Sequence, residues 1–139
     1  MSFLLDTNVV SELRKPLVDR RVRDWVASVR GPDLYLSVLT VGEVRQGIER
    51  LRSRDLRTAG VFEAWLATLL GAFADRILPI SVDVAQEWGR LNGPQPLPPV
   101  DGLLAATALV HDLTLVTRNT RHVRRTGVRL FDPFGDATG

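Results

Sequence analysis

The sequence of 139 residues lacks cysteine, so it can form neither a disulfide framework nor a metal site with thiolate ligands. No apolar stretch in it approaches the length of about 20 residues that a membrane-spanning helix needs. The amino terminus has no basic segment followed by a long apolar run, as a secretory signal would have. We therefore expect a cytoplasmic protein that has no contact with a membrane.

Lysine is nearly absent as well, because Lys15 is the single one and arginine supplies all other basic side chains. Acidic residues almost balance the basic ones, and the formal net charge is +2. Arginine binds phosphate and carboxylate groups through two parallel hydrogen bonds, whereas lysine acts as a point charge. There is also no glycine-rich segment that ends in Gly-Lys-Ser or Gly-Lys-Thr, which excludes a P-loop nucleotide site.

Apolar segments with the periods of strands and helices alternate along the chain. We predict strands at 3–5, 34–38, 76–80, 113–117 and 128–131. The helices follow as a short one before Pro16 and longer ones at 17–30, 40–51, 53–75, 81–91 and 100–112. The tail from Pro133 is expected to be frayed. Such alternation predicts one α/β domain, residues 1–139, with three α/β/α layers around a central, mainly parallel sheet.

An acidic residue, Asp6, stands directly after the first predicted strand. In open parallel sheets, ligands bind in the crevice beyond the carboxyl ends of the strands, so the position favours a functional role. Aspartate is also a preferred N-cap, which leaves a purely structural role open. In the helix that follows, Val9, Val10 and Leu13 can share the buried face, and Glu12 then lies on the exposed one.

Two further acidic residues stand at comparable junctions. Glu43 follows the second strand, but Thr40 and Glu43 also have the spacing of a capping box, which needs no catalysis to explain it. On local evidence the capping box is the stronger interpretation. Asp101 lies in the first turn of a helix after a proline pair, where the helix dipole favours an acidic side chain.

Taken together, these junctions place Asp6, Glu43 and Asp101 where they can converge, with Asn119 at the end of the fourth strand. Oxygen ligands without His or Cys suit Mg²⁺ or Mn²⁺, and a divalent cation offsets the repulsion between crowded carboxylates. Such a site performs metal-assisted phosphodiester hydrolysis. We predict all four residues as metal ligands. The side chains expected to orient them are Thr7, Asn8 and Thr117.

Four segments of the chain, taken in order, resemble the PIN-domain ribonucleases. The likeness is closest to the VapC-type toxins of bacterial type II toxin–antitoxin pairs, including the FitB-like branch. The segments are Leu4-Leu5-Asp6-Thr7-Asn8-Val9-Val10-Ser11-Glu12-Leu13, Gly42-Glu43, Asp101-Gly102-Leu103-Leu104-Ala105-Ala106 and Leu115-Val116-Thr117-Arg118-Asn119. The resemblance implies a PIN-like fold and a Mg²⁺-dependent endoribonuclease with Asp6, Glu43 and Asp101 as its acidic residues. It also implies an RNA substrate, a VapB-like antitoxin that blocks the site, and a toxin homodimer.

The chain departs from the family at one position, because His122 stands where a further Asp usually follows the motif. Mg²⁺ prefers oxygen, so we expect Asn119 to help order the metal and His122 to lie outside its ligands, in contact with a phosphate. The other expected RNA contacts are Arg118, Arg121 and Arg124.

Two alternatives are weighed against the nuclease. A phosphatase of the haloacid dehalogenase type also begins with a strand that ends in Asp, but it needs a second Asp where this chain has Asn8. The missing fourth carboxylate leaves open an alternative of a different class, a PIN fold that binds RNA or a partner without cutting.

Overall fold

A computed structural model of the protein describes residues 1–135, which contain one sheet of five parallel strands. In chain order the strands are β1 (Phe3–Leu5), β2 (Leu34–Ser37), β3 (Ile77–Leu78), β4 (Thr114–Val116) and β5 (Leu130–Phe131). Their order across the sheet is β3-β2-β1-β4-β5. Leu4 in the central strand is in register with Tyr35 on one side and Leu115 on the other.

Seven α-helices connect the strands within these residues. They are α1 (Thr7–Leu13), α2 (Arg20–Ser28), α3 (Val38–Arg52), α4 (Leu56–Ala72), α5 (Val82–Asn92), α6 (Pro99–Val110) and α7 (Thr120–Val123). The sequence predicted each of them except the single turn α7, which is too short to show a helical period. No helix in the described part of the chain combines the length and apolar character that crossing a bilayer requires.

The helices lie in two layers because successive side chains of a strand point to opposite faces of the sheet. Leu5, Leu36 and Val116 pack with residues of α1 to α4 in one buried cluster. Leu4 and Leu115 point the other way and pack with residues of α6 and α7. The predicted α/β/α arrangement with a parallel sheet is therefore confirmed.

The expectation of a frayed tail is wrong for its first residues. Pro133 is buried, and Phe134 is 5% exposed and packs in the same cluster as Leu5 and Val116. An aromatic ring removes much apolar surface from water when it is buried, which fixes this part of the tail. Residues 136–139 lie outside the described part of the chain.

Glu12 also lies elsewhere than expected, because it is buried instead of exposed. Beyond Pro16 the chain turns back over α1, so the backbone N–H of Asp19 donates to the Glu12 carboxylate at 3.0 Å. Lys15 donates to the other carboxylate oxygen at 2.9 Å. The Lys15 and Asp19 hydrogen bonds hold the pKa of Glu12 below its usual value. Helical periodicity could not reveal this, since the covering segment is not part of α1.

Candidate active site

The point where the chain changes direction across the sheet lies between β1 and β4. From β1 the chain adds β2 and β3 on one side, and it then crosses to add β4 and β5 on the other. In open α/β sheets a ligand crevice forms at such a switch point, beyond the carboxyl ends of the strands. Asp6 follows β1 at this place, and the segment 117–119 follows β4.

Both carboxylate oxygens of Asp6 accept a hydrogen bond. The backbone N–H of Thr7 donates to Oδ1 and the hydroxyl of Thr117 donates to Oδ2, each at 2.6 Å. Asp6 is also the N-cap of α1 and is only 6% exposed. The capping role and the position in the crevice therefore coexist in one residue.

The buried position of Asp6 raises the pKa of its carboxyl group above the usual value. Loss of solvation is the largest cause, and the negative charges of Asp101 and Glu43 act in the same direction. The hydrogen bonds from Thr117 and Thr7 partly oppose them. The negative charge of Asp6 is therefore unfavourable in this buried position, and a nearby cation would stabilise it.

Glu43 is not part of a capping box, and that prediction is wrong. Helix α3 begins at Val38, and its cap is Ser37, whose Oγ accepts from the backbone N–H of Leu39 at 3.0 Å. Thr40 and Glu43 consequently lie one turn apart inside the helix, on the same side. With the cap assigned to Ser37, the structural explanation that competed with a functional Glu43 no longer applies.

A short hydrogen bond links Glu43 to the segment that carries Asp6, since the hydroxyl of Thr7 donates to its Oε1. The Thr7 hydroxyl also lies 3.3 Å from Oγ1 of Thr40, which is fully buried. Capping was the only role expected of Thr40, and its place beside the site was not predicted. The spacing of three residues between Thr40 and Glu43, which places them on the same side of a helix, was the feature of the sequence that could have predicted this contact.

Asp101 lies in the first turn of α6, with a side chain that is 17% exposed. The helix lies very close to α5, because a Cβ at Gly102 would come within 3.2 Å of the Trp88 indole. His122 reaches Asp101 from α7, and its Nδ1 is 3.1 Å from Oδ2 of the carboxylate. The sequence did not predict this contact, which brings His122 directly against a proposed metal ligand.

The predicted residues line one open cleft with a volume of about 300 Å³. Its lining consists of Asp6, Thr7, Asn8, Glu43, Val100, Asp101 and Asn119. Thr117 does not line the cleft but contacts two residues that do. Its hydroxyl donates to Asp6, and its Oγ1 accepts from the backbone N–H of Asn119 at 3.0 Å. The structure thus brings the acidic residues together, while their roles stay predictions.

The donor atoms of the cleft suit a hydrated cation better than a closed protein cage. Within residues 1–135, no group of three or more His, Asp or Glu side chains is arranged so that it could hold a metal ion. Mg²⁺ commonly keeps several waters and takes only one or two carboxylates. Asp6 and Asp101 can supply these, and the buried Oδ1 of Asn8 has no hydrogen-bond partner among the described residues. The residues present therefore fit Mg²⁺ or Mn²⁺ with bound water.

A second depression, of about 410 Å³, adjoins the cleft and is rich in arginine. It is lined by Arg118, Asn119, Thr120, Arg121, His122 and Arg124, so Asn119 belongs to both. All four predicted RNA contacts lie here. Arg129, in contrast, pairs with Asp112 at the opposite end of β4 and does not belong to this surface.

Comparison with known proteins identifies the family. Residues 3–128 match the model of the PIN domain. The chain belongs to the PIN-domain family. This PIN domain is 36% identical to toxin FitB of Neisseria gonorrhoeae, over 96% of the chain and 99% of that protein. It is 34% identical to a VapC ribonuclease of Sinorhizobium fredii, again over 96% and 99% of the two chains.

Solved structures give the same answer for the fold. The crystal structure of FitAcB from Neisseria gonorrhoeae matches this PIN domain with a TM-score of 0.89 at 35% identity, covering 96% of the chain and 99% of the other. A structure of FitAB bound to a DNA fragment matches with a TM-score of 0.87 at 34% identity, covering 96% of each chain. The resemblance stated from the sequence motifs is therefore confirmed.

Proposed function

We propose that this PIN domain is the toxin of a VapBC-type toxin–antitoxin pair and acts as a metal-dependent endoribonuclease that hydrolyses RNA phosphodiester bonds. The observation that carries the proposal is the meeting of Asp6, Glu43 and Asp101 in one cleft at the switch point of the sheet. Relatives with the names toxin FitB and VapC ribonuclease support the same activity.

In this proposal Asp6 and Asp101 hold Mg²⁺ or Mn²⁺, and Glu43 and Asn119 complete the site directly or through water. When bound, the cation lowers the pKa of a water molecule and neutralises charge that develops on the phosphate. Thr117 fixes Oδ2 of Asp6, which keeps this carboxylate in one orientation. These contacts prepare the site before the substrate arrives.

Thr7 has two tasks in this arrangement. Its backbone N–H fixes Oδ1 of Asp6, and its hydroxyl holds Glu43. The carboxylates on α3 and after β1 therefore keep a constant spacing although they repel each other. Burial is the largest cause of the raised pKa of Asp6, and the charge of Glu43 adds to it. These side chains would hold a hydrated cation, with Asp6 and Asp101 as the carboxylates.

The proposed partner is a VapB-like antitoxin that covers the cleft, and the toxin is proposed to form a homodimer within the complex. A solved structure of a toxin–antitoxin complex from Klebsiella pneumoniae, 27% identical to this chain, supports the antitoxin. Exposed apolar residues are available for an amphipathic partner segment. These are Leu17, between α1 and α2, and Leu56 and Val61, on α4. An arginine side chain of the antitoxin can pair with the carboxylates in place of the metal. Toxin and antitoxin are both proposed to act in the cytoplasm.

Expression in bacteria tests the toxin role. The intact chain produced alone is expected to arrest growth, and the Asp6→Asn form is not, because the substitution removes a proposed metal ligand without emptying the site. Co-expression of the protein encoded beside it should relieve the arrest and yield a complex that purifies together. Harmless overproduction of the intact folded chain would contradict the toxin role.

The second candidate is a PIN domain that binds RNA or a partner without cutting, and the observation in its favour is His122 in place of a carboxylate. Labelled RNA distinguishes the two. The proposed nuclease degrades it with Mg²⁺ or Mn²⁺ and stops when EDTA is added. RNA that is bound but stays intact at all metal concentrations would favour the binding module.

A further inference from the structure

Arg118 lies over the face of an aromatic ring at the edge of the site. The central carbon of its guanidinium group is 3.6 Å from the centroid of the Phe134 ring. Phe134 is 5% exposed and is packed among core residues, so it forms a fixed floor beneath the arginine. A guanidinium stacked on an aromatic face in this way is held in one plane.

The opposite side of Arg118 is available to a ligand. Arg118 is an exposed residue, and among the described residues its side chain makes no hydrogen bond or ion pair. Two arginines that follow it differ in this respect, because Arg125 donates to the carbonyl oxygen of Leu91 and Arg129 to that of Asp112. Arg118 is therefore held by its ring contact alone, with its polar edges free.

Arg118 stands in the chain between two residues that belong to the site. It follows Thr117, the residue that bonds to Asp6, and it precedes Asn119, which lines both the cleft and the arginine-rich depression. A nucleotide next to a phosphate in the cleft would lie over this depression. Among the residues that the structure describes, no aromatic ring is stacked on Arg121 or Arg124 in the same depression, and their guanidinium groups suit paired hydrogen bonds to phosphates.

We propose that the face of Arg118 turned away from Phe134 is a stacking site for one unpaired nucleobase beside the phosphate that is cut. Bases that are splayed out of single strands and loops stack on arginine planes as well as on aromatic rings. The inference rests on the proposed ribonuclease function and deepens it, since the substrate is then single-stranded or looped RNA at that nucleotide.

The test uses an RNA oligonucleotide that contains a cleavage site mapped with the intact chain. Binding is measured to the Asp6→Asn protein, which leaves the RNA uncut, with an abasic nucleotide placed in turn at each position around the site. Loss of the stacked base should weaken binding at one position by roughly 5- to 150-fold, the range that base stacking gives. With Arg118→Lys added, which keeps the charge but loses the plane, this sensitivity should disappear.

Two further variants make the comparison specific. Arg124→Lys changes a guanidinium of the same depression that has no ring beneath it, and sensitivity to the abasic position should persist. Phe134→Leu keeps an apolar floor but removes the ring, and sensitivity should fall. Two results would overturn the stacking inference and leave the proposed function intact. One is equal sensitivity to the abasic position with Lys and with Arg at position 118. The other is the absence of any sensitive position in an RNA that the chain cuts. If the intact chain neither binds nor cuts RNA, the proposed function fails as well.

Discussion

Thr117 donates a hydrogen bond of 2.6 Å to Asp6 across 111 positions of sequence. The bond joins the ends of two neighbouring strands, β4 and β1, at the switch point of the sheet. The same Thr117 oxygen accepts from the backbone N–H of Asn119, so one hydroxyl connects two proposed metal ligands. The acidic site is thereby built on the sheet itself instead of on a mobile loop.

Removing this hydroxyl should weaken the site without altering its shape. Thr117→Val is nearly isosteric, and it leaves Oδ2 of Asp6 without its donor, which raises the pKa of Asp6 further. We expect a loss of about 10- to 100-fold in metal affinity or RNA cleavage. The unpaired buried acceptor should also lower the free energy of unfolding by about 1–3 kcal/mol. Mn²⁺ titration and thermal unfolding measure the two effects.

Thr117→Ser is the matched control, because it keeps the hydroxyl and removes only a methyl group. It should retain metal affinity close to that of the unaltered chain. A Thr117→Val protein whose metal affinity and cleavage match those of Thr117→Ser would show that the Asp6 contact has no functional consequence.

Asp6 should make the stability of the protein depend on pH. Because burial raises the pKa of Asp6 above its usual value of 3.8, the folded chain keeps a proton in a pH window where the unfolded chain has released it. The contribution of Asp6 to the free energy of unfolding therefore falls as pH rises through that window and stays low above it. Asp6→Asn should raise the melting temperature at pH 7 without divalent cations.

The advantage of Asp6→Asn should shrink as pH is lowered and disappear below the usual aspartate pKa, where both chains are uncharged at this position. Melting temperatures of the two proteins between pH 3 and pH 8 provide the measurement. An Asn variant that is less stable than the unaltered chain at pH 7 would mean that the charge of Asp6 is already compensated within the fold.

Metal affinity should depend more on Asn119 than on His122. The Asn119 side-chain carbonyl is an oxygen donor, whereas the imidazole is a poor ligand for Mg²⁺ and already contacts Asp101. Asn119→Ala should therefore weaken Mn²⁺ binding, and His122→Ala should leave it equal or stronger. Binding also stabilises the fold, by about 2.7 kcal/mol at a hundredfold excess over the dissociation constant, so thermal shifts report it without RNA. Loss of affinity in the His122 variant alone would reverse the assignment.

The arginine-rich depression predicts how RNA binding responds to salt. Each phosphate contact contributes about 0.7 to the slope of log affinity against log salt concentration for a single strand. Replacing Arg121 and Arg124 by Glu should flatten this slope. The same change at two exposed arginines, Arg54 between α3 and α4 and Arg57 in the first turn of α4, serves as a control of equal charge and should have a smaller effect. An equal change of slope in both pairs would mean that only net charge matters.

The sequence predicted the parts of the site that depend on strand and helix order. Asp6, Glu43 and Asp101 were expected to converge because the sequence places each near a predicted junction, and parallel strands bring their junctions to one edge of the sheet. The structure brings them to one cleft, although Glu43 lies inside α3. The contact between His122 and Asp101 was missed because it joins α7 to α6, and a helix of one turn has no periodicity. Phe134 was missed for a related reason, since its burial depends on a core surface built by distant residues.

The most direct test of the account is RNA cleavage by three purified proteins that share the same fold. These are the intact chain, Asp101→Asn, and Asp83→Asn as a control in which an exposed aspartate of a helix first turn is changed away from the cleft. We predict that the intact chain and Asp83→Asn cut labelled RNA with Mg²⁺ or Mn²⁺ and stop with EDTA, and that Asp101→Asn, folded and equally stable or more so, does not cut. Cleavage by Asp101→Asn at the rate of the intact chain would contradict the assignment of the acidic cleft as the active site.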